Sequence, residues 1–64
     1  MYRRLIKNLN TLMYDRKVTQ EEMGEIMGSC RQTFRRRMEN PGDFTLNELL
    51  AISFYFGVKL KKLL

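Results

Sequence analysis

Four arginines and a glutamine fall within seven residues, at Arg31, Gln32, Arg35, Arg36 and Arg37, with no acidic residue between Ser29 and Met38. A guanidinium can donate to both O6 and N7 of guanine, and a glutamine amide can pair with both N6 and N7 of adenine. This set therefore has the chemistry to read base edges. It would equally suit the solvated face of an ordinary helix, and charge alone leaves both readings open. Other chemistry is largely excluded. The chain has no histidine and a single cysteine, Cys30, so it can form neither an internal disulfide nor a Cys–His nucleophile pair, nor an ordinary zinc cluster. It has no phosphate-cradling glycine loop. Glu21, Glu22 and Glu25 imitate an acid–base or metal set, but Glu22 is better explained as a helix cap and the other two as a solvated face. We expect no catalytic residue, no metal, no cofactor and no small-molecule substrate.

The basic residues need an element to present them, and the sequence predicts helices throughout. Leu5, Ile6, Leu9, Leu12 and Met13 form the stripe of an amphipathic helix over roughly residues 2 to 14. After a connector from Asp15 to Val18, Thr19-Gln20-Glu21-Glu22 reads as a capping box, with Val18 and Met23 in the positions of a hydrophobic staple. A second helix starts at about Gln20, buries Met23, Ile26 and Met27, and is stopped by Gly28. Ser29-Cys30-Arg31-Gln32 offers another Ser-x-x-Gln box. Cys30, Phe34 and Met38 recur at i, i+4 and i+8, giving a third helix over about residues 30 to 39 with all three facing inward. On that reading Cys30 is a small packed hydrophobe. A fourth helix runs from about Leu46 to Phe56, opened by Thr45-Leu46-Asn47-Glu48, stapled by Phe44 and Leu49 and ended by Gly57. Its core face gathers Leu46, Leu49, Ser53 and Phe56. Leu60, Leu63 and Leu64 allow one or two further turns that dock on the core.

With Phe34 taken as inward and 100° per residue, Gln32 lies about 160° away and Arg36 about 200°, so both point outward with Arg31 and Arg35 beside them. Arg37 lies nearer the core side, where its stem can pack while its guanidinium emerges towards a phosphate. Gln20 and the first-turn amides of the second helix would face a nucleic-acid backbone as helix N-termini do.

Length and charge agree with this reading. A 64-residue chain is one domain, residues 1–64, with one small core. Twelve Lys and Arg against seven Asp and Glu give a net charge of +5, which favours a polyanionic partner. The longest nearly apolar run, Leu49 to Val58, is too short to span a bilayer, so no membrane partner is expected. No signal peptide is evident, and the lone thiol suits a reducing cytoplasm. Met1 favours a complete gene product.

Two short capped helices joined through Gly28-Ser29 form the pattern of a helix-turn-helix. Thr19-Gln20-Glu21-Glu22-Met23-Gly24, Ile26-Met27-Gly28, Ser29-Cys30-Arg31-Gln32-Thr33-Phe34 and Phe44-Thr45-Leu46-Asn47-Glu48-Leu49-Leu50, with Ile52 and Phe56-Gly57-Val58, make the chain resemble the lambda-repressor-like, Cro-type helix-turn-helix family from Leu5 to Leu60. The resemblance implies an all-α bundle of four or five helices that binds double-stranded operator DNA, usually as a dimer, in phage or bacterial regulation. It implies base contacts for Arg31, Gln32 and Arg36, joined by Arg35, and phosphate contacts for Gln20, joined by Thr33, Arg37 and Asn40. Three residues depart from the family pattern. Gly24 replaces the alanine usual where the two helices cross, Cys30 replaces a Ser or Thr cap that Ser29 would then supply, and Lys59 stands where the last helix would be capped.

A homodimer is expected through the fourth helix, where Ala51, Phe54 and Tyr55 form a second apolar strip 140° to 240° from Leu49. Tyr2 or the Val58–Leu64 tail could instead cover that strip within one monomer. The alternative function is a small helical protein-interaction module that binds an acidic partner or another regulator.

Overall fold

In the computed structural model, which describes residues 2–64, the chain folds as an all-α bundle of five helices with no strand among those residues. The helices are α1 (Tyr2–Arg16), α2 (Gln20–Ile26), α3 (Arg31–Glu39), α4 (Leu46–Phe56) and α5 (Leu60–Leu63), with a 3-10 turn at Pro41–Asp43. Both Thr capping boxes form. Thr19 and Thr45 each accept from the amide three residues on, and Glu22 and Glu48 each accept from the threonine amide in return.

Three helices end with a residue in the left-handed region. Gly28 (φ 77°) and Gly57 (φ 67°) stop α2 and α4, and the following amides of Ser29 and Val58 reach back to the carbonyls of Gly24 and Ser53. Helix α1 continues two residues past the expected residue 14 and closes in the same way at Lys17 (φ 55°), where the Val18 amide donates to the Met13 carbonyl.

The core is a single cluster of Leu5, Leu9, Met23, Met27, Phe34, Leu49, Ile52, Phe56 and Leu63, drawn from all five helices. Val18, Met38, Phe44 and Leu60 pack against its edge. Helices α2 and α3 form the most extensive pairing, α4 packs on α2 and α5, and α5 lies against α1. Lys59 provides no side-chain cap for α5. Instead α5 is held from its other end, where the Asn8 amide of α1 donates to the carbonyls of Lys62 and Leu63 while Leu63 is buried.

Two inward assignments are corrected. Cys30 is exposed, because it is the residue before α3 in extended backbone (φ −137°, ψ 171°), where helical periodicity does not reach. Leu46 is 61% exposed, because it occupies the first position of α4, where the chain is only entering the helix, while Ile52 further along is fully buried. The Ser29 cap also fails to form, leaving α3 with no side-chain N-cap hydrogen bond.

Candidate nucleic-acid interface

The α2–α3 pair is built around one close approach. A Cβ on Gly24 would lie 2.4 Å from the carbonyl carbon of Cys30, 2.5 Å from its oxygen and 2.7 Å from the amide nitrogen of Arg31. Gly24 therefore lets the N-terminus of α3 sit directly on α2. It is a requirement of the crossing, not a tolerated replacement for alanine. Phe34, fully buried one turn along α3, fixes the rotation of that helix on the core.

That rotation brings Arg31, Gln32, Arg35 and Arg36 together on the exposed side of α3. None of the three arginines forms an ion pair with the described residues. Glu21 and Glu25 of α2 line a shallow hollow of about 490 Å³ with Ser29, Cys30, Arg31, Gln32 and Arg35, so carboxylates border the N-terminal half of the row. Glu39 borders its other end, in a smaller hollow with Gln32, Arg35 and Arg36. A guanidinium flanked by carboxylates but not paired with one keeps its donors free for a ligand.

Of the expected phosphate-contact residues, Gln20 is exposed at the start of α2, Thr33 is half-buried in the first turn of α3, and Asn40 is exposed just after that helix. Arg37 is corrected. Its guanidinium does not emerge outward but forks onto Glu48 of α4, with Nε 3.0 Å from Oε1 and Nη2 3.3 Å from Oε2. Sequence reasoning identified Glu48 only as a cap. Its second role joins residues 11 apart across the 3-10 turn, and no local spacing signals such a pair.

Glu48 thus serves two elements at once, capping α4 and anchoring α3. Burial raises its pKa, but hydrogen bonds from Arg37 and the Thr45 amide outweigh that and hold the carboxyl below its ordinary value. A carboxyl lowered in the folded state contributes stability that is present above the ordinary carboxylate range and lost as pH falls through the lowered value. We expect Glu48→Gln to lower the urea midpoint at neutral pH and to narrow its gap from wild type as the solution is acidified. Urea titrations across the acid range test this, and parallel curves for the two proteins would refute it.

At the start of α3 the Cys30 thiol lies 3.5 Å from the Thr33 hydroxyl. Hydrogen bonding to that hydroxyl, then to the Thr33 amide, holds the thiol below its ordinary pKa against the opposing effect of desolvation. On α4, Ala51 is half-buried while Phe54 is 85% and Tyr55 60% exposed. The Val58–Leu64 tail borders the strip at Phe54, which shares a hollow with Val58, Lys59 and Leu60, but leaves Phe54 and Tyr55 exposed. The Tyr2 ring sits beside Gly42 of the 3-10 turn, and α5 turns Leu63 into the core.

Among the described residues no three His, Cys, Asp or Glu side chains come together as a metal set, and no helix is long and apolar enough to cross a membrane. Compared with known protein families, curated proteins and solved structures, the chain has no significant match.

Proposed function

We propose that the chain binds double-stranded DNA sequence-specifically by laying α3 in the major groove, as a cytoplasmic transcriptional regulator of the lambda-repressor-like, Cro type. The observation that carries this reading is the exposed row of Arg31, Gln32, Arg35 and Arg36 on a helix whose rotation is fixed by Phe34 and by the Arg37–Glu48 fork. The nine-residue helix is about 14 Å long, and an α-helix with its side chains is about 10–12 Å across, which fits the roughly 12 Å width of the major groove. Side chains held on a rigid helix can discriminate bases because their donors arrive already oriented. Gln20, Thr33 and Asn40 supply uncharged phosphate contacts in this reading, and Arg37 acts by positioning α3. The reading assigns no catalysis, metal, cofactor or small-molecule substrate.

The test is a selection from random duplex DNA followed by titration of variants on the selected site. Arg36→Ala is expected to cost ~1–3 kcal/mol there and to relax the preference at one base pair. Gln20→Ala is expected to weaken all sequences alike. Unchanged affinity and preference in Arg36→Ala would remove α3 from the groove.

One short recognition helix reads few base pairs, and a two-fold pair would set two of them about one helical turn, ~34 Å, apart. Exposed Phe54 and Tyr55 beside half-buried Ala51 support a homodimer through α4, since a small residue beside two aromatics suits close approach of a second helix. Sedimentation equilibrium is expected to show a dimer that Tyr55→Glu converts to a folded monomer with much weaker operator binding. A wild type still monomeric at high micromolar concentration, free and on a palindromic site, would count against it.

A further inference from the structure

A separate groove runs between α1 and the segment that leaves α3. It is a broad, open depression of about 780 Å³ in which half-buried Ile6, Met38 and Pro41 supply apolar lining. Tyr2 and Tyr14 stand at its two ends, 50% and 84% exposed. They are twelve residues apart on α1, about 18 Å of helix rise, so the groove crosses most of a molecule whose longest dimension is 24 Å.

Its α1 wall repeats as a helix-accepting stripe: Arg3, Ile6, Lys7, Asn10 and Tyr14 fall at i, i+3, i+4, i+7 and i+11. The charge on the wall is one-sided. Arg3 and Lys7 are exposed and form no ion pair with the described residues, and Glu39 is the one carboxylate of the lining. An apolar trough about three turns long with a basic rim matches a helix that carries an apolar stripe between acidic flanks.

From this geometry and charge we propose that the α1 groove docks an acidic amphipathic helix of a different protein. A second copy of this chain is a poor match. The exposed apolar strip of α4 has no free carboxylate beside it, since the one acid of that helix, Glu48, is held by Arg37, and the acids of α2 lie on a seven-residue helix. The proposal is independent of the nucleic-acid reading, because the groove shares only Glu39 with the surroundings of the Arg35 and Arg36 row.

The probes are two synthetic helical peptides of about fourteen residues, both with leucines at i, i+3, i+4 and i+7, one flanked by glutamates and the other by lysines. Anisotropy titrations are expected to show the glutamate peptide binding at least ~tenfold more tightly, with a similar loss in the Arg3→Glu, Lys7→Glu double variant and in Tyr14→Ser. Arg36→Ala is expected to bind it as wild type does. Amide resonances of residues 2 to 14 and 38 to 40 should move on addition of the peptide. Absence of binding, equal affinity for the two peptides, shifts confined to α4 and α5, or self-association abolished by Tyr14→Ser would each overturn the proposal, as would vesicle binding lost in the same variant.

Discussion

Gly24→Ala is expected to lower the melting temperature by roughly 12–24 °C, close to loss of the fold. The methyl group would arrive 2.4 Å from the Cys30 carbonyl carbon and 2.7 Å from the Arg31 nitrogen, both backbone atoms that no rotamer change can move aside. To restore ordinary contact, α3 must retreat from α2 by an ångström or more. That retreat would loosen Phe34 and Met23, both fully buried. Overpacking of a core costs about 1–3 kcal/mol when side chains can adjust, and a clash with backbone belongs at the upper end or beyond. A single core of this size supplies only ~3–5 kcal/mol. Helix propensity pushes the other way, since alanine is favoured over glycine by about 1 kcal/mol within a helix. The sign of the change therefore decides which effect governs. Thermal melts followed by circular dichroism test it, with Glu25→Ala as an exposed control on the same helix. A Gly24→Ala protein melting at or above the wild-type temperature would show that the crossing relaxes freely.

The same residue marks where the sequence stops being legible. Elements set by neighbours a few positions apart are readable: the Thr19–Glu22 and Thr45–Glu48 boxes, the stops at Gly28 and Gly57, and the stripe through Leu5 and Leu9 all appear as expected. Each depends on hydrogen bonds or packing within one helical turn. The outward direction of Arg31, Gln32, Arg35 and Arg36 follows from Phe34 by periodicity alone, and the structure places all four at the surface. Periodicity misleads at element edges. Cys30 lies one step before α3 and Leu46 at the first position of α4, where the chain has not yet turned onto the core. The Gly24 contact and the Arg37–Glu48 fork depend on how far apart two helices cross and on where a turn returns the chain. Those distances are tertiary quantities with no signature in spacing.

Raising salt from 50 to 200 mM is expected to weaken duplex binding by roughly 250- to 1,000-fold per subunit. Of twelve lysines and arginines, Arg37 is the one in an ion pair among the described residues, which leaves enough cations around the α3 row to meet about five phosphates. If about five phosphates are neutralised, counterion release gives a slope of log K against log salt near −4 to −5, and about double for a dimer. The structure adds which variants should change that slope. Arg37 already faces Glu48, so removing its guanidinium should lower affinity through a looser α3 more than it alters counterion release. Gln20 is uncharged, and Gln20→Ala should shift the line down without tilting it. Loss of a cation that reaches a phosphate should make the slope shallower by nearly one. Isothermal titrations at several salt concentrations separate these outcomes. A flat response would contradict nucleic-acid binding, because a helix that reads bases in the groove must pass between two rows of phosphates and displace their counterions.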